Sequence, residues 1–183
     1  MTSLNKICMH WTAGSNAPCN VDLLAYHFLV NSNGQIFEGI HKPEDNLNCY
    51  DGKYAKHCGG GNTGCIGTSL CGMAGFDLKN KYTKYPLTQK QVESFCCLNA
   101  YLSIKYGIPV TENKIFTHYE FDKKRPKPDG KIDITYINYL PNLSQSSVGK
   151  YLRDKINYYK DGIKKGIYKK ETHDKYFVFI KVV

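Results

Sequence analysis

The 183-residue sequence predicts an α/β domain in which a central mixed β-sheet is flanked by α-helices. Three observations point there. Short apolar runs of strand length recur along the chain, a hairpin signal sits between two of them, and a long stretch with helical periodicity follows. Composition agrees: 42% apolar and 22% charged residues are the profile of one globular core.

Lys6-Ile-Cys-Met-His-Trp11 reads as a buried strand, a nearly continuous apolar run stopped by Thr12-Ala-Gly14. Tyr26 to Asn31 reads as a second strand, and Asn33-Gly34 turns it into Gln35-Ile-Phe-Glu38 as a hairpin. Alternation puts Tyr26, Phe28 and Val30 on one face, His27 and Leu29 on the other. Residues 42–63 are rich in Asn, Gly, Asp and Lys and lack periodicity, which marks a long surface loop of the kind that often carries function. Cys65 to Cys71 is a further strand closed by Gly72. The clearest helix follows: Thr88 and Gln91 form a capping box, apolar residues recur from Val92 to Tyr106, and Gly107 and Pro109 end it. Ile115 to His118 reads as a short strand leading into a polar segment, 119–130. An amphipathic helix is expected over about 147–159, and a terminal strand over 176–183.

Net charge is +9, and ten Lys/Arg against four Asp/Glu in residues 144–183 supply six of it. Such a surplus favours encounter with an anionic partner, whether nucleic acid, lipid or wall polymer. No nucleic-acid motif accompanies it. Apolar stretches such as 22–30 and 177–183 fall well short of the roughly 20 residues that cross a membrane. The N-terminus lacks the apolar segment and cleavage site of a secretory signal, so synthesis in a cytosol is expected. The eight cysteines contain no C-x-x-C pair, and a cytosolic start favours buried, reduced thiols over disulfides.

Among six histidines, His10 and His118 stand at the ends of predicted strands, where a rigid backbone opens onto a rim. Their 108-residue separation leaves open whether they meet. Lys131 and Asp133 lie two apart, on one face if extended, and a carboxylate joining two histidines would suit a hydrolytic zinc centre with one open position. His118 and Glu120 share that spacing, which makes Glu120 a candidate either to orient a ligand from behind or to accept a proton. The bland alternative is a set of structural histidines.

Five blocks narrow the choice: Met9-His-Trp-Thr-Ala-Gly14, Tyr26-His-Phe-Leu-Val with the Asn33-Gly34 hairpin, His57 through Asn62-Thr-Gly-Cys-Ile-Gly67, Thr117-His-Tyr-Glu120, and Gly130-Lys-Ile-Asp-Ile134. In that order, over about residues 5–141, the chain resembles the type 2 N-acetylmuramoyl-L-alanine amidases. This zinc-dependent family includes phage endolysins, bacterial wall amidases and animal peptidoglycan recognition proteins. The resemblance implies a zinc groove at the strand ends with one Zn2+ per chain, held by His10, His118 and Asp133. It also implies catalytic roles for Tyr26 and Lys131, and substrate contacts from Trp11, Thr12, His57 and Asn62. The implied reaction is hydrolysis of the amide between N-acetylmuramic acid and L-alanine in peptidoglycan, with a non-catalytic recognition module as the alternative. No nucleic-acid partner is implied. A chain made in the cytoplasm would then act on the wall after release or export.

Two departures qualify the likeness. Only fifteen residues separate His10 from Tyr26, where many relatives insert a helix, so the groove is expected to be more open there. Residues 1–143 are read as the catalytic domain, and 144–183 as a basic extension packed on it or following it. That extension is open to three readings: contact with anionic wall polymers, an extra helix on the sheet, or a solubilising appendage.

Overall fold

The computed structural model describes residues 3–182. Met1 and Thr2, and Val183 of the predicted last strand, lie outside it. The elements run β1 (Lys6–Trp11), α1 (Asn20–Ala25), β2 (Phe28–Val30), β3 (Ile36–Glu38), β4 (Cys65–Leu70), α2 (Gln89–Lys105), β5 (Ile115–Thr117), α3 (His118–Lys123), α4 (Val148–Lys164), β6 (Tyr168–Thr172) and β7 (Phe177–Lys181). One seven-stranded sheet has the order β5-β1-β4-β2-β3-β7-β6. Strands β5, β1, β4 and β2 pair parallel, and β2-β3, β3-β7 and β7-β6 pair antiparallel, which makes the sheet mixed.

Strand alternation divides the two faces. Ile7, Met9 and Trp11 of β1, Ile66 and Leu70 of β4, and Phe28 and Val30 of β2 pack in the main core with Val92, Phe95 and Leu102 of α2. Cys8, one residue out of phase, belongs to a separate cluster with Cys58, Cys65 and Phe116 on the opposite face. His10 shares that second face.

Helix α2 is placed by its N-terminus. Thr88 Oγ1 accepts from Gln91 N–H at 3.1 Å and donates to the Ser32 carbonyl at 2.7 Å. The buried Gln91 amide donates to the carbonyls of Val30 and Cys71, at 2.8 and 2.7 Å, so one side chain pins the helix to the ends of two strands.

Helix α4 lies within the residues read as an extension. Its Val148, Leu152 and Ile156 are fully buried in the main core, each contributing roughly 1.5–3 kcal/mol by burial. It is an integral layer against α2, with Lys155 and Tyr159 both bonded to Glu93 of that helix. The predicted terminal strand is one arm of a hairpin, since β6 pairs along its length with β7. Strand β6 is exposed and polar at nearly every position and is held at the sheet edge by backbone pairing, which leaves no apolar signal in its sequence.

Two short helices also escape the sequence reading. Helix α1 fills part of the span between His10 and Tyr26, so a helix is present where an open groove was expected. It follows Cys19, whose N–H donates to the Asp22 carboxylate at 3.0 Å in place of a Ser or Thr cap. Helix α3 begins at His118, inside the expected strand. All eight cysteines are free, six of them buried.

Candidate metal centre

Three chain segments deliver the site. His10 projects from β1 opposite the α2 face. His118 opens α3, where the Thr117 hydroxyl accepts from Glu120 N–H at 3.2 Å and Glu120 Oε2 accepts from Thr117 N–H at 2.9 Å. Asp133 arrives on a stretch without helix or strand. That stretch is tied down by Tyr119 N–H on the Asp133 carbonyl at 2.6 Å, and by Asp122, whose carboxylate accepts from the backbone N–H of Asp129 and Lys131 at 2.8 and 2.9 Å. Burial works against the Asp122 charge, yet these donors and Arg125 hold its carboxyl below the usual range.

The three side chains meet at one atom. Asp133 Oδ2 lies 2.8 Å from His10 Nδ1 and 3.2 Å from His118 Nδ1. All three are nearly buried, at 9%, 0% and 6% exposure respectively. Burial opposes the Asp133 charge, but hydrogen bonds from both imidazoles outweigh it and bring the carboxyl down to about 2. For His118, burial disfavours the cation, while Asp133 and Cys58 outweigh it and raise the ring to about 9.

Proton counting shows what the cluster lacks. His57 Nε2 lies 3.2 Å from the Cys65 carbonyl, which only accepts, so Nε2 carries the proton and Nδ1 accepts. His57 Nδ1 is 3.2 Å from His10 Nε2, so His10 donates there. With that proton placed, His10 Nδ1 can face a carboxylate oxygen only with a second proton or with its lone pair on a shared cation. The spacing of the three donors suits the second option: all lie within 4.8 Å of one another, two imidazoles and a carboxylate, which is a zinc-binding set. Cys8, His10 and His57 meet the same distance criterion. Cys8 is fully buried and burial drives its thiol well above the ordinary range, which leaves that trio a protonated sulfur and no open side.

Tyr26 is half-buried beside the cluster, its ring 5.2 Å from that of His10. Burial, with Asp133 and Asp22 nearby, pushes its phenol up, so it stands as a protonated donor at neutral pH. Lys131 is exposed, two residues before Asp133, with its backbone fixed by Asp122.

The sequence matches the profile of the N-acetylmuramoyl-L-alanine amidase family over residues 1–132. The chain belongs to that family. The matched region spans His10, Tyr26, His57, His118 and Lys131 and stops one residue before Asp133. No curated protein matches the sequence. Among solved structures, the amidase LysC from Clostridium intestinale URNW superposes with a TM-score of 0.53 at 17% identity, covering 85% of this chain and 87% of that one. The Ph2119 endolysin from Thermus scotoductus MAT2119 bacteriophage Ph2119 gives 0.51 at 14% identity, covering 85% and 86%. Bumblebee PGRP-SA gives 0.51 at 12% identity, covering 84% of each chain. At such identities these structures share the fold.

Within this amidase-family domain the remaining expected site residues take other places. Glu120 faces Arg153 of α4, which donates to Glu120 Oε2 and Oε1 at 2.8 and 2.9 Å and to the Ile115 carbonyl at 3.2 Å. Its carboxylate joins α3 to α4. Trp11 is 4% exposed in the main core, against Phe76 at 5.3 Å, because alternation turns it away from His10. Thr12 Oγ1 accepts from the N–H of Gly14 and Gly72, both at 3.1 Å, and organises the strand exits. Asn62 Oδ1 accepts from Cys58 N–H at 2.8 Å and closes the glycine turn. His57 is 6% exposed and lies beneath His10 instead of lining a groove. The residues the sequence reading missed are Asp122 and His27. His27 Nδ1 accepts from Gly67 N–H at 2.8 Å, and its Nε2 lies 3.0 Å from Asn46 Oδ1. A cavity of about 810 Å³ lies elsewhere, between α2 and the β6-β7 hairpin, and contains none of these side chains.

Proposed function

We propose that this chain is a zinc-dependent amidase that hydrolyses the amide between the lactyl group of N-acetylmuramic acid and L-alanine in peptidoglycan. The observation that carries the reading is the convergence of His10 Nδ1, His118 Nδ1 and Asp133 Oδ2 in a buried cluster that offers two imidazoles and a carboxylate to a shared cation. A zinc ion held there would supply Lewis acidity, for the scissile carbonyl and for a water whose pKa falls toward about 7. Tyr26, a protonated phenol at the edge of the cluster, donates toward the oxygen on which negative charge develops. Lys131 supplies a cation from the adjoining exposed loop, and Asp122 sets its backbone. Family membership and the endolysin-type fold support a wall-lysing role of the phage or prophage kind. The basic surplus of residues 144–183 supports attraction to anionic wall polymers during encounter.

Zinc stoichiometry measured alongside mass spectrometry of digested peptidoglycan tests this. The expected result is one zinc per chain and free stem peptides beginning with L-alanine. Asp133→Ala should lose the metal, whereas Lys131→Ala should keep it and lose turnover on the order of 10² to 10³-fold. An active, zinc-free Asp133→Ala protein would refute the assignment. Binding of peptidoglycan without release of peptides would establish recognition in place of hydrolysis.

A further inference from the structure

The ring of His57 is held from four sides. Its Nε2–H donates to the Cys65 carbonyl at 3.2 Å, and its Nδ1 accepts from His10 Nε2 at 3.2 Å. The ring packs edge-on between His10 and His27, with centroids 5.3 and 5.6 Å away. Beneath it lies Gly67 of β4, where a Cβ would come within 2.4 Å of the His57 Cγ. Only glycine leaves room for the imidazole at this point of the sheet. His27, on the far side, is itself fixed by Gly67 N–H and Asn46. The imidazole therefore has one orientation, and that orientation points an acceptor at His10.

An acceptor there has a chemical consequence. A histidine can offer one ring lone pair when the other nitrogen carries the proton, and the partner of that proton decides which nitrogen is which. We propose that His57 is the positioning residue of the metal centre: by accepting the His10 Nε2 proton it fixes His10 as the tautomer whose Nδ1 lone pair faces Asp133 Oδ2 and His118 Nδ1. This assignment rests on the zinc reading above and differs from the substrate contact that family resemblance implies. With 6% exposure, beneath His10, His57 has little surface to offer a glycan or peptide.

The test uses the full chain and zinc ions, with affinity measured by competition against a chromophoric chelator. His57→Phe, which fills the space and removes the acceptor, should bind zinc 10- to 100-fold more weakly. His57→Asn, which keeps an oxygen near the Nδ1 position, should recover most of that loss, a rescue that a space-filling role would not give. Asp133→Ala serves as the reference for a lost ligand. Zinc binding by His57→Phe at wild-type strength while Asp133→Ala fails would overturn the positioning role and leave the metal centre standing. Equal weakening in His57→Phe and His57→Asn would also overturn it, and an absence of zinc binding by the wild type would sink both readings. Long-range ¹H–¹⁵N spectra of the zinc-loaded wild type decide the question without any variant: His10 and His57 should both carry their proton on Nε2, and a proton on Nδ1 of either ring contradicts the proposal.

Discussion

At the scale of single residues, the site is a problem of buried charge solved by pairing. Asp133 sits at the meeting point of two imidazoles, and removing it would leave them without their shared carboxylate. His27 presents a complementary case. Burial lowers it to about 4, and its Nδ1 must stay unprotonated to accept from Gly67 N–H. In an unfolded chain the same ring titrates near about 6.5. A depressed histidine stabilises the fold fully above the unfolded value and loses that contribution as pH falls toward the folded one. His118 is shifted upward and has the opposite sign, losing its contribution only as pH rises through about 9, so it is constant in the acid window. Metal-free protein should therefore lose thermal stability between about pH 6.5 and pH 4. Imidazole proton shifts should show His27 still neutral at pH 5, and a His27 midpoint near its unfolded value would contradict this account. Residue types in the cluster were legible in the sequence, because His10, His118 and Asp133 stand in blocks that carry the family resemblance. Their convergence was not, since 108 and 15 residues of intervening chain carry no distance information. Trp11 shows a signal present and unused: alternation along β1 already separates it from His10.

At the scale of elements, legibility followed the source of stability. Helix α2 announces itself through Thr88, Gln91 and a long apolar stripe, and β1 and β4 through uninterrupted apolar runs. Helix α3 had a signal as well, the Thr117/Glu120 capping box, hidden within a block read as strand and polar loop. Helix α1 has a cysteine where a polar cap would mark it, and β6 owes its place to backbone pairing. The Arg153–Glu120 pair joins α3 to α4. Gly149 of α4 lets the helix approach, since a Cβ there would fall within 2.1 Å of Glu120 Oε1. Arg153→Leu leaves a largely buried carboxylate without its partner, which should cost about 3 kcal/mol. Denaturant titration measures this loss. Glu120→Gln should lower stability while leaving zinc stoichiometry unchanged and turnover near wild type. Loss of turnover in a folded, zinc-replete Glu120→Gln protein would restore the proton-acceptor role.

At the scale of the whole molecule, the family region and the folded unit do not coincide. The matched profile ends at residue 132, yet the core continues through Val148, Leu152 and Ile156 and the sheet through β7. A chain ended at residue 143 uncovers the α2 face and should aggregate or be degraded rapidly, as limited proteolysis and light scattering would show. A stable, monomeric 1–143 fragment would mean that α4 is dispensable. The site itself hangs from three tethers of unequal strength. His10 is built into a central strand and His118 into a capped turn, but Asp133 lies on a stretch without helix or strand, tied by the Asp122 carboxylate and a few amide contacts on one side and by Ile134, buried in the main core, on the other. Warming should loosen that mooring first. Amidase activity is then expected to fade, and to return on cooling, over a range of temperature in which circular dichroism still reads an intact sheet.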